Sequence, residues 1–194
     1  MSEKAVILNC DLGEGLDNEH LIMPFIQACN LACGGHAGNE ETMTRVVNLA
    51  VKHDVAIGAH PSYPDKNNFG RVSMNISEFE LINTIREQIN TLVHLLKKAG
   101  VRMHHIKPHG ALYNDIASNQ ILGKRFLKAI EPYRDSIALF VPYGSAIAEM
   151  ARKSGFKVLL EGFADRNYNT DYSLVSRTLP NAVLTEPKLV LNHM

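Results

Sequence analysis

The chain has 194 residues, enough for one domain with a core of its own. Lys+Arg and Asp+Glu each total 20, so the net charge is zero, which argues against a nucleic-acid binder that relies on an excess of cations. Apolar residues make up 45% and charged residues 21%, an ordinary soluble mixture, and no apolar run approaches the ~18–20 residues needed to cross a bilayer.

The start, "MSEKAVILNCDLGE", carries an acidic residue and only a short apolar run, unlike a secretory signal, so a cytoplasmic protein is expected. Cys10, Cys29 and Cys33 read as reduced thiols packed as small hydrophobes. A zinc site on Cys29 and Cys33 would have to draw in Cys10 and His36.

In chain order, "AVILNC" (5–10) is an apolar run that predicts a buried strand, and "FIQACNLAC" (25–33) predicts a second. Residues 39–54 carry Met43, Val46, Val47, Ala50 and Val51 at helical spacing behind Asn39 as N-cap. "VAIGAH" (55–60) is a strand. Residues 77–100 predict a long helix, opened by a Ser77–Glu80 capping box and closed by Lys97, Lys98 and Gly100. "VRMHHIK" (101–107) is a strand, 118–131 a helix, "IALFVP" (137–142) a strand, "SAIAEMARKSG" (145–155) a helix and "KVLLEGFA" (157–164) a strand. His104 and His105 fall inside a strand, whereas His53 and His94 lie on helices.

This alternation predicts a parallel sheet covered by helices. Polar clusters follow the strands: Asp11 and Glu14, His36, His60, Lys107 and His109, then Asp165 and Arg166. A (β/α) barrel brings all strand C-terminal ends to one rim, whereas a doubly wound sheet brings together only those at its switch point, so the pattern favours a barrel.

The rim residues suit acid–base chemistry. Asp11 and Glu14 lie close enough in a glycine-containing loop to act as acid and base or to hold a divalent cation. His36 sits among Gly34, Gly35 and Gly38; three histidines at strand ends, His36, His60 and His109, favour function over packing. Lys107 ends an apolar strand and needs an acidic partner or an anionic ligand, and Arg71 can bind a carboxylate or phosphate. "HHIKPHGALYN" (104–114) adds Tyr113 and Asn114 in a loop, and Glu161, Asp165 and Arg166 read as an ion-paired set. There is no G-x-S-x-G elbow, H-E-x-x-H motif, dinucleotide fingerprint or phosphate loop, so what remains is hydrolysis of an amide or ester, with or without a metal.

The segments "LNCDLGEG", "NLACGGHAG", "AIGAHPSYPD", "FGR", "HIKPHGALYN" and "FADRNY" resemble the serial motifs of the LamB/YcsF family, the A-subunit proteins of 5-oxoprolinase. The resemblance implies a seven-stranded (β/α) barrel of the glycoside hydrolase/deacetylase type. It implies ATP-dependent opening of 5-oxo-L-proline to L-glutamate, with partner subunits B and C that handle ATP and activate the lactam. By motif position, Asp11, Glu14, His60, Lys107 and His109 are the expected catalytic residues. His36, Arg71, Tyr113, Asn114 and Asp165 are the expected substrate-binding residues. Asp11 or Glu14 would be the base, His60 and His109 proton shuttles, and Lys107 and Arg71 anion binders.

Relative to the family the chain stops early, at "KLVLNHM", so a single barrel domain without its last strand is expected, with two open edges that invite a homo-oligomer. Two other readings stay open. One is a partner-free, metal-dependent amidohydrolase or deacetylase with Asp11, His36 and His60 as ligands; the other is a non-catalytic fragment that binds a ligand or partner.

Overall fold

The computed structural model describes residues 6–193. Strand β1 is Asn9–Leu12, followed by a short helix α1 (Glu19–Ile22), strand β2 (Ala28–Ala32) and helix α2 (Glu40–Lys52). Strand β3 (Ala56–His60) leads to the long α3 (Glu78–Lys98), then β4 (His105–Ile106), α4 (Gly110–Ser118) and α5 (Gln120–Ile130). Strand β5 (Ala138–Pro142), α6 (Ala146–Lys153), β6 (Lys157–Glu161) and α7 (Pro187–His193) complete the order. Among the described residues no helix is long and apolar enough to cross a membrane.

The strands form one six-stranded sheet in sequential order, every pair parallel. A doubly wound sheet would reverse its order at a switch point; this one does not. The sheet curls instead: Lys107, just after β4, reaches Asp11 on the edge strand β1 and Glu161 on the opposite edge β6. The result is an α/β half-barrel.

The helices follow their sequence signals. Asn39 caps α2 by accepting from the Thr42 N–H, and Met43, Val46, Val47 and Ala50 are buried. Val51, predicted as part of that stripe, is 45% exposed, because it falls past the edge of the contact face. Ser77 and Glu80 make both bonds of the capping box of α3. Leu81, Ile85, Ile89 and Leu92 of α3 are fully buried, each contributing roughly 1.5–3 kcal/mol over the exposed state.

The strand expectations need adjustment. The apolar run predicts the first strand at 5–10, but pairing begins at Asn9↔Ala28 and runs to Leu12; Ala5 lies outside the described residues. Val6, Ile7 and Leu8 are exposed, since they precede the ladder on an edge strand. The segment 25–33 opens with a 3-10 turn at Met23–Phe25 and is extended only from Ala28. The 101–107 strand shortens to two residues, yet His104 N–H and Lys107 N–H still bond the carbonyls of Ile57 and Ala59. Residues 110–114, expected as loop, open helix α4: Pro108 ends the strand and His109 takes extended N-cap geometry.

Between the strands lies a small polar layer. Asn30 donates to Asp11 and Asn9 and accepts from His105 Nε2 at 2.7 Å, while the His105 ring stacks on Phe140. His105 is therefore buried inside the curl, and His104 is exposed. A Cβ on Gly58 would stand 2.2 Å from the His105 ring, so glycine is what lets the imidazole cross the sheet interior.

Candidate active site

All the expected catalytic residues meet at the C-terminal ends of the strands. A cavity of about 490 Å³ is lined by Asp11, Glu14, His60, Arg71, Lys107, His109, Tyr113 and Asn114, together with Phe163, Arg166 and Arg177. These side chains come from widely separated segments, and parallel strands bring them to one rim because each strand ends on the same side.

Lys107 is the centre of the charged set. It is only 3% exposed, and its ammonium lies 3.0 Å from Asp11 and 2.8 Å from Glu161. Burial alone would push its pKa down; Asp11 and Glu161 outweigh that and hold it above the usual lysine value. Phe163 covers the ammonium, its ring centroid 5.0 Å away. Burial pushes the Asp11 carboxyl up, but His60 and Lys107 more than offset this and hold it well below the usual range. Asp11 is thus an ionised carboxylate that also accepts from Asn30 at 2.8 Å. Tyr113 donates to Glu161 at 3.1 Å, and burial followed by that carboxylate raises its phenol well above the ordinary value.

The imidazoles form a second, adjoining set. His60, the last residue of β3, donates from Nδ1 to the Lys107 carbonyl at 2.7 Å. His109 donates from Nε2 to the Phe69 carbonyl at 3.0 Å. The inward nitrogens, His60 Nε2 and His109 Nδ1, face each other at 2.9 Å. His36 stacks on His109 with ring centroids 3.6 Å apart, and its Nε2 meets Glu14 Oε1 at 2.9 Å. Burial, then the neighbouring His60 and His36, lowers His109 to about 2, and burial also lowers His36. Glu14, His36, His60 and His109 each offer one ligand atom, and these atoms all lie within 4.8 Å of one another, a group that could hold a metal ion. Two of the sequence candidates for a metal, His36 and His60, belong to it, while Asp11 Oδ2 stands 3.4 Å from His60 Nε2.

A pair of glycines positions the cationic loop. Gly110 (φ +56°) lies so close to Gly70 (φ +63°) that a Cβ on Gly110 would stand 2.5 Å from the Gly70 carbonyl. That carbonyl accepts from Ala111 N–H at 2.9 Å, which brings Phe69 onto His109 and Arg71 to the cavity mouth. Arg71 is exposed and stacks on Phe69 at 4.9 Å; Asn114 is exposed at the same mouth. Asp165 is exposed in an adjoining groove between β1 and β6 that shares Asp11, Lys107, Phe163 and Arg177 with the cavity but does not bring Asp165 into it.

The expected ion-paired set of Glu161, Asp165 and Arg166 does not form among the described residues. Glu161 pairs with Lys107, and Arg166 donates to the carbonyls of Val175 and Ala182, because burial seats its guanidinium under the irregular segment after β6. Arg177 lines the cavity and Glu161 pairs with Lys107, roles that sequence reasoning did not give them. Glu161 could have been found from its place at a strand end; Arg177 carries no such signal. Burial lifts the thiols of Cys29 and Cys33 to about 12, and both are free, buried cysteines.

Comparison with known proteins agrees with this arrangement. The 5-oxoprolinase A-subunit of Acinetobacter baumannii (strain AB307-0294) is 44% identical over 194 residues, 97% of this chain and 76% of the relative. That of Shouchella clausii (strain KSM-K16) is 41% identical over 189 residues, 95% of this chain and 75% of the relative. The crystal structure of a lactam utilization protein from Thermus thermophilus matches with a TM-score of 0.90 at 35% identity, over 96% of this chain and 78% of that one. A putative cellobiose-phosphate cleavage protein of Enterococcus faecalis V583, 16% identical with a TM-score of 0.51 over 87% of this chain and 70% of that one, shares the fold alone. The family's sequence model matches residues 6–194, and the chain belongs to the LamB/YcsF family.

Proposed function

We propose that the chain acts as the A-subunit of an ATP-dependent 5-oxoprolinase, opening the ring of activated 5-oxo-L-proline to give L-glutamate. The names of the relatives support this, and so does the site: a buried lysine, its pKa held up by Asp11 and Glu161, stands beside carboxylates and imidazoles under one small-molecule-sized cavity. Subunits B and C bind ATP and activate the lactam in this reading, in keeping with a sequence that holds no phosphate loop. A cytoplasmic location goes with it.

The observation that carries the reading is the Asp11–Lys107–Glu161 bridge beside the His60–His109 pair. Lys107 presents positive charge where an oxyanion develops as the ring carbonyl is attacked. Asp11, held ionised by its partners, is a weak base, so Glu14 takes the proton of the attacking water and Asp11 holds Lys107 and His60 in place. His60 and His109 pass a proton towards the departing ring nitrogen. Arg71 and Asn114 meet the substrate's anionic group at the mouth, Tyr113 steadies Glu161, His36 orients Glu14, and Asp165 binds substrate from the adjoining groove.

The reading takes the chain as a single (β/α)-barrel domain whose β1 and β6 edges a seventh strand would join. With those edges unpaired among the described residues, and Val6 and Tyr172 exposed beside the groove between them, a second copy docks there. A monomeric mass by light scattering would remove the oligomer from the proposal.

The test of the function is 5-oxoproline-dependent ATP hydrolysis and glutamate formation with subunits B and C present. Asp11→Ala and Lys107→Ala, checked for folding by circular dichroism, should both lose activity; unimpaired turnover in both would end the assignment. The Glu14–His36–His60–His109 group favours a second reading, a partner-free metal-dependent amidohydrolase. Glutamate release by the purified chain without B, C or ATP would select it.

A further inference from the structure

We infer that Glu14, His36, His60 and His109 form a binding site for one divalent transition-metal ion of the zinc class. The argument begins with hydrogen bonds made outside the cluster. A backbone carbonyl can only accept, so His60 Nδ1 and His109 Nε2, bonded to the carbonyls of Lys107 and Phe69, must both carry the ring proton. In the neutral rings the other nitrogens then bear lone pairs. Those nitrogens face each other at 2.9 Å, an arrangement that repels unless a cation lies between or beside them. Metal-bound histidines have this outer bonding: the second N–H is given to a backbone carbonyl or carboxylate, which fixes the tautomer and aims the ligand.

Distance and charge point the same way. Glu14 Oε1 lies 2.9 Å from His36 Nε2, 3.4 Å from His109 Nδ1 and 3.8 Å from His60 Nε2. Four ligands held about 2.0–2.1 Å from one tetrahedral ion stand about 3.3 Å from each other, in the middle of that range. Three carboxylates, Asp11, Glu14 and Glu161, gather at this rim. Lys107 bridges Asp11 and Glu161, whereas the ion-pair partners of Glu14 among the described residues are the three imidazoles alone. With neutral imidazoles, Glu14 then has no cationic ion-pair partner among the described residues, and a dication beside it supplies one. Three imidazoles and one carboxylate suit zinc and its neighbours rather than magnesium or calcium, which prefer oxygen. A shared proton is the rival occupant: it would relieve the His60–His109 contact and also face Glu14, at 3.4 Å from His109 and 3.8 Å from His60, and titration with Zn²⁺ tells it from an ion.

The inference does not rest on the lactam reading: an ion held here would occupy the His60 and His109 nitrogens to which that reading gives a proton-passing role, and the test needs neither 5-oxoproline nor ATP. Tag-free full chain, stripped with chelator, is titrated with Zn²⁺ by calorimetry and with Co²⁺ by visible absorption. Ring-nitrogen NMR of the histidines follows the same titration. One equivalent is expected to bind, shifting Nε2 of His36 and His60 and Nδ1 of His109 while His53 and His94 stay in place. Glu14→Gln and His36→Ala should each weaken binding by more than the roughly 10–100-fold that loss of an outer partner costs. The inference is overturned if the wild-type chain takes up neither ion, if the shifts fall on other histidines, or if both variants bind as tightly as wild type. A shared-proton signal between His60 and His109 that survives saturating Zn²⁺ would overturn it too.

Discussion

The ammonium of Lys107 sits 2.8 Å from the carboxylate of Glu161, tying the rim of β4 to the edge strand β6 across the mouth of the half-barrel. Both side chains are nearly closed to solvent, 4% and 5% exposed, so neither charge can be rescued by water if the other is removed. Glu161→Ala should cost about 3–5 kcal/mol of stability by urea unfolding, the loss typical of breaking a buried pair. Glu161→Gln, which keeps a hydrogen-bond acceptor for Lys107, should cost less and still lower turnover. Equal stability of wild type and Glu161→Ala would show that the pair contributes nothing to the curl.

The Gly70–Gly110 contact makes a steric prediction. Alanine at 110 would be forced into positive φ with its methyl against the Gly70 carbonyl. Gly110→Ala should therefore push the Phe69–Arg71 loop off His109, raising KM for the substrate several-fold or more in the coupled assay. A Gly110→Ala protein with unchanged KM and unchanged Tm would contradict this placement.

Gly58 allows a cleaner packing test. A methyl there collides with the His105 ring, and overpacking of this kind costs about 1–3 kcal/mol. Because the cost comes from one contact, the double variant Gly58→Ala/His105→Ala should be less destabilised than the sum of the two singles. Additive losses in denaturant unfolding would mean that the two positions do not touch.

His105 also sets an acid limit on stability. Burial, then His104 and Lys107, lowers its pKa from 6.5 to about 3 in the fold. The unfolded chain therefore binds a proton that the native state refuses, and stability falls as pH drops from 6.5 towards 3. The expected slope from this group is at most about 1.4 kcal/mol per pH unit, with its full contribution present above pH 6.5. Comparing urea midpoints of wild type and His105→Gln across that window should give a shallower acid loss in the variant.

Arg71 is exposed at the mouth and stacked on Phe69, so its removal should leave the fold alone. Arg71→Ala is expected to raise KM about ten-fold with a smaller change in kcat, as for a uniform binding contact. Loss confined to kcat would assign it a different task.

Much of this was legible in the residues. The capping box of α3, the Asn39 cap and the apolar stripes report local geometry that a few neighbouring residues decide among themselves. The rim list was also legible, since polar residues that follow apolar parallel strands have only one place to go. Boundaries of the edge and short strands were less so. The pairing of β1 depends on where β2 lies, and β4 is reduced to two paired residues by the helix that starts at Gly110. Glu161 was assigned to neighbours in sequence, yet its partner is Lys107, brought near only by the curl of the sheet.

Taken alone, the order of residues determined the alternation of strands and helices, the family motifs, and which acids, imidazoles and cations would stand at one end of the sheet. It could not decide which nitrogen of each histidine faces inward, which carboxylate Lys107 bridges, or that His105 crosses above Gly58. Those depend on distances between segments far apart in the chain. Hydrogen bonds and ion pairs act over a few ångströms, so they are settled only when packing brings the segments into contact.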